Sequence, residues 1–317
     1  MSEHVSEIDT REQLPWWEKE PAPPPRMIRL RGINCRQIYL EFLHKIKLNR
    51  LSIMEIPDNI MRVISLLNES EFDYAEIEDL VSRSGALVGE IIKIANSAVY
   101  SRGVKINRLR DALTRLGPQK IKAVLYLYSS RQYINSDERI VDLARTIMRH
   151  SYLTGLIAGY LAQRYYPDPD NAFLAGILHD VGKLALLKEV MESYDIPPSK
   201  NTLQETSFGE TLPMLHQLVG RFIAKKWNLS EDICYVLAEH HQPQHFLSDT
   251  NWNSAELCYR LTGLVHFSDI VARMLGVGSY IGKIDIFKLP VARALGIEDD
   301  PETKRFLADI PILLEQV

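Results

Sequence analysis

The stretch Phe173-Leu174-Ala175-Gly176-Ile177-Leu178-His179-Asp180-Val181-Gly182-Lys183-Leu184 sets a histidine, an aspartate and a lysine inside an otherwise apolar run. Burying such a triplet is costly unless a charge partner or a metal ion offsets the lost hydration. The spacing predicts one helix from about Asn171 to Leu187 that carries all three. On it, His179 and Asp180 would point about 100° apart, so the carboxylate could bridge metals while the imidazole binds one. Lys183, three residues after Asp180, would share its face. From there it could hold the carboxylate or meet a phosphate oxygen.

Working outward from this stretch, the helical period continues in both directions. Ile60, Val63, Ile64 and Leu67 recur at helical spacing behind Pro57, whose missing donor costs nothing early in a helix. Ile77, Leu80 and Val81 mark a second helix ending near Gly85, and Leu87, Ile91, Ile94 and Ala95 a third that reaches Asn96-Ser97. Leu109 to Leu116 is stopped by Gly117-Pro118, after which Ile121, Val124, Leu125 and Tyr128 begin another. Arg145 to Arg164 reads as a long helix closed by Pro167-Asp168-Pro169-Asp170. Further helices are expected near Met214–Trp227, Ser230–His240 and Ala255–Leu275. No stretch of convincing length alternates like a strand, so the expected fold is all-α, a multi-helical bundle without substantial β-sheet.

Residues 1–29, with Trp16-Trp17 and Pro21 to Pro25, read as a Pro-rich, disordered tail, with docking of the two indoles as the alternative. The body is expected over 30–280, as halves 30–135 and 136–280, with C-terminal helices over 281–317 packed on it.

The chain has 317 residues, 37 Lys plus Arg and 41 Asp plus Glu, a formal charge of −4. That balance argues against a nucleic-acid partner. The basic stretch Lys105, Arg108, Arg110, Arg115, Lys120 and Lys122 is expected to be a solvated face, with contact to nucleic acid or an acidic partner as the alternative. Three widely spaced cysteines, Cys35, Cys234 and Cys258, suggest reduced thiols in a cytoplasmic protein and no Cys-type zinc module. No signal-peptide pattern opens the chain, and no apolar run approaches the roughly 20 residues that cross a bilayer. No phosphate-binding glycine loop is present either.

Five of the nine histidines, His150, His179, His216, His240 and His241, form with Asp180 and Asp269 a set spread over five predicted helices or their ends. Each alone has a plain structural reading, and Asp269 could simply pair with Arg273 one turn on. Together they form the kind of set with which a helical bundle builds an interior metal site. Nitrogen and carboxylate donors without thiolate suit one or two divalent ions of Fe, Mn, Zn or Ni.

The order His150, His179-Asp180, Asp269 resembles the H…HD…D series of HD-domain phosphohydrolases, and His216 with His240-His241 resembles the extra histidines of the HD-GYP group. The closer resemblance is to the HDOD domain, an HD-related output module of bacterial signalling. It is carried by Ile56-Pro57, Lys93-Ile94-Ala95-Asn96-Ser97-Ala98, Leu109 to Gly117, Arg149-His150-Ser151, Phe173 to Lys183 and His216-x-x-x-Gly220, over roughly 50–275. The resemblance implies a regulatory protein that works by binding signalling proteins or a small nucleotide ligand. Its alternatives are a metal-dependent phosphohydrolase acting on a nucleotide or cyclic dinucleotide, and a metal-stabilised scaffold. In the hydrolytic case His150, His179, His240 and Asp269 would hold the ions and Asp180 would bridge them, while Lys183 and His216 would face phosphoryl oxygens, with His216 as ligand instead an option. Two departures bear on activity. Gln242-Pro243 follows His241 where a Gly-Tyr-Pro would be, and Thr146 stands where the trimetal enzymes place a Glu. They speak against a third metal and against cyclic-di-GMP hydrolysis.

Overall fold

The computed structural model describes residues 35–51, 55–97, 100–101, 103–134, 140–193, 211–241, 255–279, 281 and 284–316. Among these there is no strand: the architecture is all-α. The expected tail with Trp16 and Trp17 lies outside the described residues. No described helix is long and apolar enough to cross a membrane.

The first part is a run of short helices: α1 (Cys35–Lys47), α2 (Asp58–Leu66), α3 (Tyr74–Ser82) and α4 (Gly85–Ala95). Their starts are set by side chains that accept otherwise unpaired backbone N–H groups, Asp73 from Ala75 and Ser84 from Leu87. Asn96 closes α4, its side chain bonding both backbone groups of Ile106, which fixes the loop into the next helix. That helix, α5 (Leu109–Ile134), is kinked where Gly117 takes φ 72° ahead of Pro118, the break the Gly-Pro pair predicts.

The second part is built on α6 (Val141–Tyr165), buried on nearly every side between Leu143 and Tyr165. Against it pack α7 (Pro169–Leu178) and α11 (Ala255–Met274). Around them lie α8 (Val181–Ser193), α9 (Thr211–Lys226) and α10 (Glu231–Glu239). Asp168 caps α7 by accepting from Asp170 and Asn171, with Pro169 at the first helical position. The chain ends in α12 (Pro290–Leu295) and α13 (Pro301–Ala308), flanked by 3₁₀ turns at Ile286–Lys288 and Ile310–Gln316. Tyr160 of α6 stacks on Phe306 of α13 and donates to its carbonyl oxygen. One contiguous hydrophobic core runs from Phe42 to Leu313 through both halves.

One expectation fails here. The single helix foreseen over Asn171–Leu187 is two, α7 and α8, broken at His179-Asp180. Phe173, Leu174, Ala175, Ile177 and Leu178 are all buried, so the segment has no polar face to lose its phase at the break. Periodicity could not register it. The two residues therefore do not diverge along a helix face; the turn aims both side chains inward.

Close helix crossings position this turn. A Cβ on Gly176 would sit 2.6 Å from Gly155 Cα, so α6 and α7 touch backbone to backbone. A Cβ on Gly182 would fall inside the radius of the His216 carbonyl oxygen, so α8 and α9 do likewise. Both obstacles are backbone and cannot rotate away. Gly182→Ala should therefore lower the unfolding free energy by about 1–3 kcal/mol or more. Gly89→Ala, in α4 with nothing within 4 Å of the new methyl, should raise it by about 0.5–1 kcal/mol. Urea melts of the two variants check both signs.

Candidate metal centre

All seven expected residues meet at one place. Asp180 is at its middle, 1% exposed, with its two oxygens facing different partners. Oδ2 lies 3.3 Å from His179 Nε2, 3.8 Å from His150 Nε2 and 2.8 Å from Lys183 Nζ. Oδ1 lies 3.5 Å from His216 Nε2 and 3.8 Å from His240 Nε2. Asp269 joins from α11 with Oδ1 2.9 Å from His150 Nε2. His241, half-buried, packs its ring 4.2 Å from that of His240 and 5.0 Å from that of His216. The centre thus has two halves sharing one carboxylate: His150, His179 and Asp180 on one side, Asp180, His216, His240 and His241 on the other.

Backbone carbonyls orient the imidazoles. His179 Nδ1 is 2.7 Å from Gly176 O, His150 Nδ1 3.0 Å from Val277 O, and His240 Nδ1 3.1 Å from Val236 O. A ring that donates from Nδ1 to a carbonyl presents Nε2 to the centre, as a ligand must. His179 Nε2 and Asp180 Oδ1 are buried with no hydrogen-bond partner among the described residues. His216 Nε2 and His240 Nε2 face each other at 3.2 Å. Orphaned acceptors and opposed imidazole nitrogens are what a cation between them would satisfy, so the donor set fits a divalent ion of the borderline class. His150, His179, Asp180 and Asp269 would hold one such ion, and Asp180, His216, His240 and His241 a second.

The electrostatics are finely balanced. Burial would push the Asp180 carboxyl up, but His179 and Lys183 outweigh it and hold it well below the usual carboxylate range. Burial acts likewise on Asp269, where Arg273 and His150 win. For His240, burial and then His241 drive the imidazole well below its usual value, and burial and then His216 drive His241 down to about 3. Burial also lowers His179, but Asp180 more than offsets this and the ring ends above its ordinary value.

Further residues support the set, and of these the loop after α11 was not legible in the sequence. Arg273 donates to Asp269 Oδ2 at 2.7 Å, the pairing one turn apart that the plain reading anticipated, while Asp269 also serves His150. His266 Nδ1 meets His240 O at 2.7 Å and fixes the end of α10. Gly278, at φ 97°, has no Cβ where one would press 2.6 Å from His150 Nδ1, which lets the neighbouring Val277 carbonyl reach the ring. The only sequence signal for this loop is the pair Gly276 and Gly278 after α11.

Two outcomes follow. Lys183 and a metal ion compete for Asp180 Oδ2, and unit charges near 4 Å interact by roughly 1–4 kcal/mol at water-like to surface-like dielectric. Lys183→Met should therefore tighten Mn²⁺ or Zn²⁺ binding by about tenfold or more, measured by calorimetry on metal-stripped protein. The second concerns pH. His240 and His241 take up protons more readily unfolded, so their contribution to stability is present above about pH 6.5 and lost as pH falls below it. His179 acts in the opposite sense, its contribution being lost as pH rises through its folded value. With three depressed rings, His240, His241 and the half-buried His266, against one raised, the melting temperature of metal-free protein should fall between about pH 7 and pH 5.

Comparison with known proteins places this geometry. The chain is 22% identical over 205 residues to an uncharacterised protein of Treponema pallidum strain Nichols, a match covering 61% of this chain and 38% of that protein. This chain thus spans well under half the length of that curated relative. A crystal structure from Shewanella amazonensis SB2B, provisionally named a metal-dependent phosphohydrolase, superposes with a TM-score of 0.69 at 21% identity, covering 89% of this chain and 98% of the other. One from Marinobacter aquaeolei VT8, provisionally named a signal transduction protein, superposes with a TM-score of 0.55 at 17% identity, covering 90% and 65%. At these identities the two structures share the fold. The HDOD domain model matches residues 53–243, more than half of the sequence, and the chain belongs to the HDOD family.

Proposed function

We propose that the protein is a regulatory member of its family, a signalling component that works by contact with a partner protein or a small ligand, and whose His–Asp centre binds divalent metal to hold the helices in register. The observation that carries this reading is the enclosure of the centre. His179, His216 and His240 are 0% exposed and Asp180 1%. A phosphoester would have to reach a metal-bound water among these buried groups, because hydrolysis needs its phosphorus within bonding reach of the activated water. Two cations, Lys183 and Arg273, already neutralise the two acids, which suits a structural centre better than one built to bind anionic substrate.

The second reading is a metal-dependent phosphohydrolase, favoured by the intact set of donors around one shared carboxylate. A bound divalent ion would there polarise a phosphoryl oxygen and lower the pKa of a water. Of the described groups at the centre, Lys183, His241 and Arg273 reach toward solvent, with 12% of the Lys183 and 22% of the Arg273 side chain exposed. Lys183 would divide its three donors between Asp180 and an incoming phosphate oxygen, and Asp269 would keep the His150 ring fixed through the 2.9 Å contact.

The readings part on turnover. Protein purified without a His tag and loaded with Mn²⁺, Fe²⁺, Zn²⁺ or Ni²⁺ is assayed on bis(p-nitrophenyl) phosphate, nucleotides and cyclic dinucleotides. The regulatory reading expects no hydrolysis above the metal-only blank, and a melting temperature that chelation lowers. Hydrolysis that requires the metal and disappears in Asp180→Asn overturns it in favour of the enzyme.

A further inference from the structure

Away from the centre, helices α4, α5 and α6 leave a cleft of about 160 Å³. Four of its lining residues are cations, Lys93 of α4, Arg131 of α5, and Arg145 and Arg149 of α6, around the rings of Tyr128 and Tyr152. Arg145, Met148, Arg149 and Tyr152 are spaced i, i+3, i+4, i+7 and form one face of α6, different from the face that carries His150 to the metal centre.

Among the described residues the charges are only lightly paired. Glu90, the one acid among the described lining residues, stands 3.8 Å from Arg131, and Arg145 meets Asp142 at 3.2 Å in an exposed pair of little strength. Lys93 and Arg149 have no ion-pair partner among the described residues. The concentration of cations is local, since the chain as a whole carries −4.

The floor is unusual as well. Tyr152 is nine-tenths buried and lines the cleft, yet its hydroxyl makes no hydrogen bond among the described residues. Burial and then Glu90 push its pKa up, so it is a neutral donor. Met148, also buried, and Leu127 complete an apolar base beneath the cationic rim. A concave floor of aromatic and aliphatic side chains with a few convergent polar groups is the usual form of a small-molecule site. At about 160 Å³, below the roughly 300–1,000 Å³ of whole-ligand pockets, this one takes part of a ligand and leaves the rest on the cationic rim. Arginines on its rim suit phosphate oxygens, which they grip in pairs.

We propose that this cleft is a second ligand site, taking a nucleotide whose phosphates meet Lys93, Arg131, Arg145 and Arg149 and whose base lies on Tyr152, Met148 and Leu127. The site is independent of the metal centre and does not rest on the function proposed for it. An extended peptide or nucleic-acid strand would need a longer groove than these three helix faces offer.

The test is calorimetric titration of the full chain, in EDTA, with ATP and GTP, and with inorganic triphosphate as the base-free probe. One saturable site per chain is expected for at least one of the nucleotides. The double variant Lys93→Met/Arg149→Met, both residues exposed, should weaken it by about tenfold or more, and Tyr152→Phe, which removes only the hydroxyl, by severalfold. Asp180→Asn should leave it within about twofold. The proposal is overturned if no nucleotide saturates, if the double variant binds like wild type, or if Asp180→Asn abolishes binding, which would put the nucleotide at the metal centre. Triphosphate binding as tight as the nucleotides' would overturn the assignment of the floor to a base.

Discussion

The Asp180 carboxylate, buried and divided between two groups of histidines, is the constraint around which the second half of the molecule is arranged. Oδ2 faces His179 and His150, and Oδ1 faces His216 and His240, so α6, the turn between α7 and α8, α9 and the end of α10 all converge on one side chain. A single ionised carboxylate at this depth would be untenable alone. It persists because Lys183 follows it by three residues and because imidazoles surround it. Asp269 repeats the solution on α11 with Arg273 one turn later. Each acid brings its own cation on its own helix or the next turn, so the cluster is close to neutral before any ion enters.

That arrangement bears on what the site can do. A divalent ion entering it gains the orphaned His179 Nε2 and Asp180 Oδ1 but must share the acids with an ammonium and a guanidinium. The balance favours ions with strong affinity for imidazole, such as Zn²⁺, Ni²⁺ or Fe²⁺, over purely oxygen-seeking Mg²⁺ or Ca²⁺. The glycines make the assembly possible: only where Gly155 meets Gly176, and Gly182 meets the backbone at His216, can α6 to α9 come close enough to bring four helices' ligands to one carboxylate.

The membership of this cluster was legible in the sequence because its chemistry is rare: histidines and acids set in apolar helices have few other uses. The break between α7 and α8 was not, since residues on both sides are buried on every face and periodicity carries no phase. Gly278 and the Val277 carbonyl could not be foreseen, because what they do for His150 depends on a loop folding back over 127 positions of chain. Of the basic stretch between Lys105 and Lys122, expected to be a solvated face, Lys105, Arg108 and Arg110 are exposed, while several of its cations also hold the fold together. Arg115 bonds the carbonyls of Ala95 and Val104, Lys120 pairs with Asp170, Arg110 with Glu78, and Lys122 meets Asn68. The cations that do converge, Lys93, Arg131, Arg145 and Arg149, sit on three helices, and no linear pattern links them.

The central claim is that Asp180 is shared between two halves of a metal centre. Its most direct measurement is the metal bound per chain by stripped, untagged protein and by Asp180→Asn, which keeps the shape of the side chain and removes its charge. The account predicts one or two ions of Zn²⁺, Ni²⁺ or Fe²⁺ per wild-type chain, and affinity at least about tenfold weaker in a variant that keeps its helical circular dichroism. Wild-type protein that binds no metal, or a variant that binds it as tightly, would contradict it.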